Sequence, residues 1–175
     1  ERYFADCKDE VRRLFTFNMA EANELSVQMA AQIEYEPCAV SLHVRRGDYL
    51  LPKHFKNSGC VCTRNYYCRA VAEVLKRMPN ARFYVFSDGM DWVKENLDLP
   101  ANTVYVTHNT GSDSWQDMML MSHCRHNVIC NSTFSWWGAW LNAHSDKQVF
   151  CPDHWTANDP ASVVVPKEWV QISVK

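Results

Sequence analysis

Short apolar runs alternate with longer amphipathic segments through most of this chain of 175 residues. The short runs are rich in β-branched and aromatic residues, as strands are, and lie at residues 39–44, 82–86, 104–106, 127–130 and 148–150. The longer segments carry apolar residues at helical spacing and lie at residues 64–78, 91–96, 115–124 and 134–143. Strands that alternate with helices pair in parallel. The sequence therefore predicts an α/β fold, with a Rossmann-like parallel sheet and helices on both faces.

The region before the first strand has helical periodicity over residues 1–35, with a break at residues 18–20. Pro37 ends this region and introduces the strand. We divide the chain into an N-terminal helical segment, residues 1–36, and a Rossmann-like domain, residues 37–175. Because the chain does not start with methionine, we expect further elements upstream, so that the first segment leads in from a missing lobe.

The composition limits the classes of function open to the chain. Its 18 basic and 20 acidic residues give a formal charge of −2, which argues against broad binding to nucleic acid. No apolar run approaches the roughly 20 residues that span a bilayer. An anionic ligand would therefore be held by local basic side chains rather than by the charge of the whole molecule.

Two adjacent arginines at the end of the first strand are hard to explain as packing. The polar residues there are His43, Arg45, Arg46 and Asp48. In open α/β sheets, ligands bind at the carboxyl ends of the strands. Guanidinium groups at such a place suit a diphosphate, because each planar group binds it through two hydrogen bonds. The alternatives are a surface loop in which the arginines pair with Asp48, and a cell-adhesion tripeptide at residues 46–48.

Hydroxyl side chains stand where the tryptophan-rich helix begins. They belong to Ser132, Thr133 and Ser135. Free backbone N–H groups at a helix start bind phosphate, although Ser132 or Thr133 is alternatively no more than an N-cap. A parallel sheet brings this helix start to the same edge as the two arginines. Taken together, the two features predict a phosphate site.

Asp117 lies near the start of the preceding helix. Its carboxylate either stabilises the helix dipole or accepts the paired N–H donors on a guanine edge. In the tryptophan-rich helix, at least two of Trp136, Trp137 and Trp140 are expected to pack in the core. A stacking platform for a sugar or a base is the alternative role for these rings.

The eight cysteines leave a zinc site or a disulfide open. The candidate zinc ligands are Cys60, Cys62, Cys68 and His54, but Cys-x-Cys is not the usual spacing of a zinc knuckle. No Asp-x-Asp pair is present to hold a diphosphate through a metal. Arginine and backbone amides can neutralise a leaving diphosphate by themselves. We therefore expect no metal and no cofactor.

Four short motifs stand in order between residues 43 and 142. They are HVRRGDY at residues 43–49, FSD at 86–88, DMMLMS at 117–122 and NSTFSWWGAWLN at 131–142. Together they resemble the α-1,2-fucosyltransferases of glycosyltransferase family 11. The resemblance implies a GT-B-like fold with two lobes, in which this chain is the GDP-sugar-binding lobe.

The resemblance also implies the reaction, which is the inverting, metal-independent transfer of L-fucose from GDP-β-L-fucose to the 2-hydroxyl of a galactoside. The implied partners are this donor and a galactose-terminated oligosaccharide or glycolipid. We expect a location in the cytoplasm or at the cytoplasmic face of a bacterial membrane, with the Golgi lumen as the alternative. Membrane association is expected only through missing segments or the acceptor. A non-catalytic carbohydrate-binding or adhesion module is the alternative function.

Site roles follow from the same resemblance. His43 is expected beside the nucleotide, Arg45 on the β-phosphate, and Arg46 in support of the loop or the diphosphate. Asp117 is expected to read guanine, and the side chains or amides of Ser132, Thr133 and Ser135 to hold phosphate oxygens. The catalytic base is not evident. Asp48 is the nearest carboxylate in the sequence, and its alternative role is to orient the arginines.

Overall fold

The computed structural model describes residues 2–175, with side chains from Phe4 onward. This part of the chain contains six strands, namely β1 Ala39–Val44, β2 Arg82–Ser87, β3 Val104–Val106, β4 His126–Val128, β5 Val149–Pro152 and β6 Val170–Ile172. They form a single sheet in the order β3-β2-β1-β4-β5-β6, and every neighbouring pair is parallel. The predicted α/β fold with a Rossmann-like parallel sheet is confirmed.

The strand order reverses beside β1. From β1 the chain moves outward through β2 to β3, and then returns to place β4 on the other side of β1. The connections that leave β1 and β4 therefore diverge to opposite faces of the sheet. A crevice opens where they part, at the carboxyl ends of the strands.

Six α-helices of seven residues or more accompany the sheet in the described part of the chain. They are α1 Lys8–Leu14, α2 Glu24–Glu34, α3 Arg64–Arg77, α4 Met90–Asn96, α5 Trp115–His123 and α6 Thr133–Leu141. Their bounds lie within a few residues of the periodic segments in the sequence. The predicted break in the N-terminal region is also present, between α1 and α2.

Neighbouring residues of β1 belong to different cores, because successive side chains of a strand point to opposite faces. Val40 packs in one core together with Tyr66 of α3. Ala39 packs in the other, together with Ile33 of α2 and Leu120 of α5. Helices thus cover both faces of the sheet, which is why β1 is buried along its whole length.

The tryptophan-rich helix α6 packs beside the sheet, and two of its three rings lie in the core, as the sequence predicted. Trp136 and Trp140 are buried, with 5% and 2% of their surface exposed. Trp137 is less buried and stacks on two rings of the N-terminal segment, Phe4 and Phe15, at centroid distances of 5.8 and 4.8 Å. The N-terminal segment therefore contacts the domain directly, and the division at residue 36 stays a prediction.

Two regions differ from the sequence prediction. The apolar residues at 163–165 and 169–172 follow no clear pattern, so the sequence predicts no regular strand there, but residues 170–172 form β6, because pairing of Val170 with Phe150 completes the sheet. The sequence shows no periodicity over residues 49–59 and predicts a loop there, but the structure has a 3-10 turn at Gly47–Leu50 and further helical turns at Pro52–His54 and Phe55–Gly59. Within residues 2–175, none of the helices combines the length and hydropathy needed to cross a membrane.

Candidate functional site

A cavity of about 770 Å³ opens at the carboxyl ends of β1, β2 and β3, beside the start of α6. Of the eight residues predicted for the site, six line it, namely His43, Arg45, Asp48, Asp117, Ser132 and Thr133. They come from three separate stretches of the chain, which only the packing of the sheet and its helices brings together. The side chains of the other two, Arg46 and Ser135, are directed elsewhere.

Two carboxylates hold the guanidinium of Arg45. Its Nη2 lies 2.6 Å from Oδ1 of Asp48, and its Nη1 lies 2.7 Å from Oδ2 of Asp88. The other oxygen of Asp88 accepts a hydrogen bond of 2.7 Å from the backbone N–H of Arg46. The ion pairs with Asp48 and Asp88 engage two of the five N–H groups of the Arg45 guanidinium and leave three for a ligand.

Asp88 also explains the glycine of the first motif. A Cβ added at Gly47 would overlap Oδ2 of Asp88 and come within 3.3 Å of its Cγ. The missing side chain lets the turn after β1 approach the end of β2 closely. Asp88 thereby reaches the side chain of Arg45 and the backbone of Arg46 at the same time.

Arg46 does not line the cavity. Its guanidinium lies over the ring of Trp92, with Cζ 4.0 Å from the ring centroid. The aliphatic part of its side chain packs on Gly89. Asp48 pairs with Arg45, so both charged side chains of the tripeptide at residues 46–48 are engaged in contacts within the fold.

His43 lies at the inner wall of the cavity and is 5% exposed. Burial, with a smaller contribution from the charge of Arg45, lowers the pKa of His43 to about 3. The ring is therefore neutral at physiological pH. Its Nδ1 lies 3.3 Å from Sγ of Cys130, whose pKa burial raises to about 11. When that neutral thiol donates to Nδ1, the Nε2 atom carries the ring proton.

Asp117 lines the same cavity from the first turn of α5. Burial raises the pKa of this carboxyl to about 6, and a hydrogen bond of 2.9 Å from Nδ2 of Asn109 to its Oδ1 opposes that shift. Asn109 also lines the cavity. A half-buried carboxylate with one oxygen free is suited to accept N–H donors from a ligand.

The start of α6 offers backbone N–H groups. Ser132 occupies the N-cap position, yet its side chain makes no capping hydrogen bond. The hydroxyl of Ser135 is buried, donating to the carbonyl of Ser132 at 3.3 Å. Ser135 thus supports the turn from within, whereas Ser132 and Thr133 face the cavity.

The residue before the N-cap of α6, Asn131, is held by hydrogen bonds to three distant parts of the chain. The Tyr49 hydroxyl donates to the carbonyl of Asn131 at 2.9 Å, and the Asn131 amide donates to the carbonyls of Ser58 and Trp155 at 3.0 Å each. These bonds connect the first motif to the last. They hold the helix start in a constant position relative to β1.

The candidate zinc ligands do not converge. Among residues 2–175, no group of three or more His, Cys, Asp or Glu side chains is arranged to hold a metal ion. All eight cysteines are free thiols. Cys62, Cys124, Cys130 and Cys151 are buried and pack as small apolar side chains.

Sequence reasoning gave no role to two residues that shape the site. Asp88 stands in the second motif, and its position at the end of a strand next to β1 was a usable signal. Asn109 carries no such signal, because it follows β3 by three residues in an irregular segment. Its contacts with Asp117 and with α2 arise only from tertiary packing.

The chain is similar to curated glycosyltransferases. It is 36% identical over 132 residues to the O-antigen biosynthesis glycosyltransferase WbnK of Escherichia coli, covering 75% of this chain and 44% of that protein. It is 33% identical to the Escherichia coli alpha-1,2-colitosyltransferase, covering 98% of this chain and 59% of that protein. It is 30% identical to galactoside alpha-(1,2)-fucosyltransferase 1 of Homo sapiens, covering 79% of this chain and 40% of that protein.

The chain therefore spans about half the length of the curated relatives it matches. The model of the family described as Glycosyl transferase family 11 matches residues 1–173, which is nearly the whole chain. On this match, together with relatives at 30–36% identity, the chain belongs to glycosyltransferase family 11.

Proposed function

We propose that this chain binds the nucleotide sugar of an inverting, metal-independent α-1,2-fucosyltransferase that uses GDP-β-L-fucose. One observation carries the proposal. The guanidinium of Arg45, fixed by two carboxylates, shares a single cavity with the start of α6 and with Asp117. A cation, free amides and a half-buried carboxylate correspond to the diphosphate and the guanine of such a donor.

The reaction breaks the bond between C1 of fucose and the β-phosphate oxygen, and the electron pair leaves with the diphosphate. Arg45 and the amides of α6 stabilise the growing negative charge, an effect worth about 3–4 kcal/mol for each donor. The neutral ring of His43 adds one N–H donor when Nε2 carries its proton. The acceptor oxygen attacks C1 from the opposite face, which inverts the configuration.

Asp48 is poorly suited to remove the proton of the acceptor hydroxyl. The hydrogen bond from Arg45 lowers the pKa of this carboxyl, which makes it a weaker base. We assign it the role of orienting Arg45. The chain spans only part of its relatives, and the acceptor, a galactose-terminated oligosaccharide or glycolipid, would be bound with groups outside this chain. We assign no catalytic base within this chain, and the cellular compartment stays a prediction.

Colitose is a second candidate for the transferred sugar. The alpha-1,2-colitosyltransferase matches 98% of this chain at 33% identity, whereas the human fucosyltransferase matches 79% at 30%. Both names specify the same α-1,2 linkage. The two donors are therefore to be compared directly, as GDP-fucose and GDP-colitose, with one galactoside acceptor.

Ligand binding separates the transferase from a sugar-binding module. Calorimetry on the full-length protein should show micromolar binding of GDP and no comparable binding of free fucose or galactose. Transfer to lactose should persist in excess EDTA, because no metal takes part in the proposed step. Binding of free sugars without GDP would favour the carbohydrate-binding alternative.

A further inference from the structure

Asn109 connects the N-terminal helix α2 to Asp117, the cavity residue proposed above to bind the guanine base. Its Oδ1 atom lies 2.9 Å from Nδ2 of Asn23 and 3.1 Å from the hydroxyl of Ser26. Its Nδ2 atom donates to Oδ1 of Asp117 at 2.9 Å. Ser26 and Asn109 are buried, so the hydrogen bond between them is shielded from water.

The donors on α2 fix which way the Asn109 amide faces. Two donors converge on its oxygen, from Asn23 and from Ser26, and a flipped amide would place its own N–H groups against the Asn23 donor. The nitrogen must therefore face Asp117. One oxygen of Asp117 is thereby occupied, and the carboxylate presents its remaining lone pairs to the cavity.

Further contacts hold the two donors themselves in place. Asn23 is the N-cap of α2, accepting from the backbone N–H of Ser26 at 2.9 Å, and its own backbone N–H donates to Oε1 of Gln116 at 2.9 Å. The Nε2 atom of His108 lies 3.0 Å from the hydroxyl of Ser26. When His108 donates there, each donor in the series from His108 through Ser26 and Asn109 points toward Asp117.

From this geometry we infer that Asn109, oriented by Asn23 and Ser26, is a positioning residue for Asp117 that selects the carboxylate oxygen facing the base and favours the ionised form. The inference rests on the proposed function, because it takes Asp117 to be the group that accepts the guanine N–H donors. It gives α2 a part in donor recognition beyond its packing on the sheet.

Within residues 2–175, no ion pair offsets the burial of the Asp117 carboxyl. Charged or titratable groups on the elements around it include Glu24 at the start of α2 and His108 and Asp113 before α5. Others line the same cavity, namely His43, Arg45, Asp48, Tyr49 and Asp88, whereas Glu34 and His123 stand at the far ends of α2 and α5. Among the described residues, none of these forms an ion pair with Asp117. Its raised pKa follows from burial, and the bond from Asn109 is the contact that opposes it.

The test measures GDP affinity by calorimetry between about pH 5 and pH 8 in the full-length protein. Four variants are compared with the wild type, namely Asn109→Leu, Ser26→Ala, Asp117→Asn and Gln28→Ala. Asn109→Leu removes the donor at nearly constant volume, and Ser26→Ala removes one of the two groups that orient it. Gln28→Ala is the matched control, because it deletes an exposed amide of α2 whose side-chain hydrogen bond within the described residues is to Glu24, at 3.0 Å.

Asp117→Asn shows how much of the pH profile comes from elsewhere, since the terminal phosphate of GDP itself titrates near about pH 6. Relative to that baseline, wild-type affinity should fall as the pH drops through about 6. In Asn109→Leu the fall should begin roughly one pH unit higher, as expected for the loss of a hydrogen bond to a charged oxygen. Ser26→Ala should raise the pH at which GDP affinity begins to fall by a smaller amount.

The outcomes separate this inference from the proposed function. If Asp117→Asn alters GDP binding while Asn109→Leu follows the wild-type profile, the role of Asn109 is refuted and the proposed function stands. If Asn109→Leu does not fold, Ser26→Ala decides by the same criterion. If the wild type fails to bind GDP, or if Asp117→Asn binds it unchanged, the base contact is wrong and this inference falls with it.

Discussion

At the scale of single residues, the position of Arg45 between Asp48 and Asp88 determines what the cavity can bind. The two carboxylates limit the rotamers of a long side chain that would otherwise lose conformational entropy on binding. They also offset the positive charge, so the site depends on the directed N–H groups of Arg45 and α6 as well as on attraction between charges. A flexible point charge at position 45 would not meet this requirement.

Replacing Arg45 with Lys should lower the rate of transfer by roughly 10²–10³-fold, because an ammonium group cannot supply the planar set of donors. The unfolding free energy should change by no more than about 1 kcal/mol, since the side chain is 35% exposed. Steady-state kinetics and urea unfolding measure the two effects. Arg64→Lys, at an exposed position on α3, is the control. Near wild-type turnover in Arg45→Lys would refute the assigned role.

Asp88 is predicted to act through Arg45. Asp88→Asn keeps the size of the side chain but removes the charge that faces Nη1, and we expect kcat/KM to fall roughly 10–100-fold, as for other residues that orient a binding group. Asp91→Asn, three residues later and exposed on α4, should leave kcat/KM unchanged. If the two variants behave alike, Arg45 does not need this support.

At the scale of secondary structure, the packing of α5 against α6 sets the distance between Asp117 and the start of α6, which both line the cavity. The two helices approach closely at Gly138, where an added Cβ would lie 3.0 Å from Cβ of Met121. Asp117 lies one turn before Met121, and Thr133 lies at the start of the other helix. A side chain added at Gly138 would push the two helices apart, so we expect it to affect both the stability of the fold and the binding of the donor.

Gly138→Ala is expected to destabilise the protein although alanine favours helices. The gain in helix propensity is about 1 kcal/mol, whereas overpacking costs typically about 1–3 kcal/mol because neither Cβ can rotate away. The reverse change at an exposed helical position, Ala31→Gly, measures the propensity alone. Urea unfolding and GDP titration supply the two readouts. A more stable Gly138→Ala variant would show that the helices separate easily.

At the scale of the whole molecule, two buried groups oppose each other in the response to acid. Burial lowers the pKa of His43 to about 3 and raises that of Asp117 to about 6. In the unfolded chain these groups titrate near about 6.5 and about 3.9. Between about pH 4 and pH 6, unfolding adds a proton at His43 and releases one from Asp117. Their contributions to the pH dependence of the unfolding free energy then cancel.

Asp117→Asn removes one side of this balance. Acidification from about pH 6 to pH 4 stabilises the wild-type fold through Asp117. The unfolding free energy of the variant should therefore fall more steeply over this range than that of the wild type, and the two slopes against pH should differ by up to the equivalent of one bound proton. Denaturant unfolding at several pH values gives the slopes. Asp98→Asn, at a fully exposed position, should match the wild type. Equal slopes in Asp117→Asn would contradict the raised pKa.

Much of the fold was predictable because it depends on local patterns. Apolar runs between helical segments predicted five of the six strands, and parallel pairing followed from their alternation with helices. The sixth strand was missed because residues 170–172 have little pattern of their own and become a strand through pairing with β5. The segment after β1 was missed for a similar reason, since its turns are held by residues distant in the chain: the Asn131 amide donates to the carbonyl of Ser58, and the backbone N–H of Ala157 donates to that of Asn57.

The sequence by itself determined the parallel sheet, the edge at which the cavity opens, and six residues that line it, because strand direction and side-chain chemistry are carried by neighbouring residues. Only the tertiary structure decided that Arg46 lies over Trp92, that Ser135 is buried, and that Asp88 and Asn109 orient the groups facing the cavity. The physical reason is distance along the chain. Arg46 and Asp88 are 42 residues apart, and Asn23 and Asn109 are 86 residues apart, so each contact exists only once the sheet and its helices have packed.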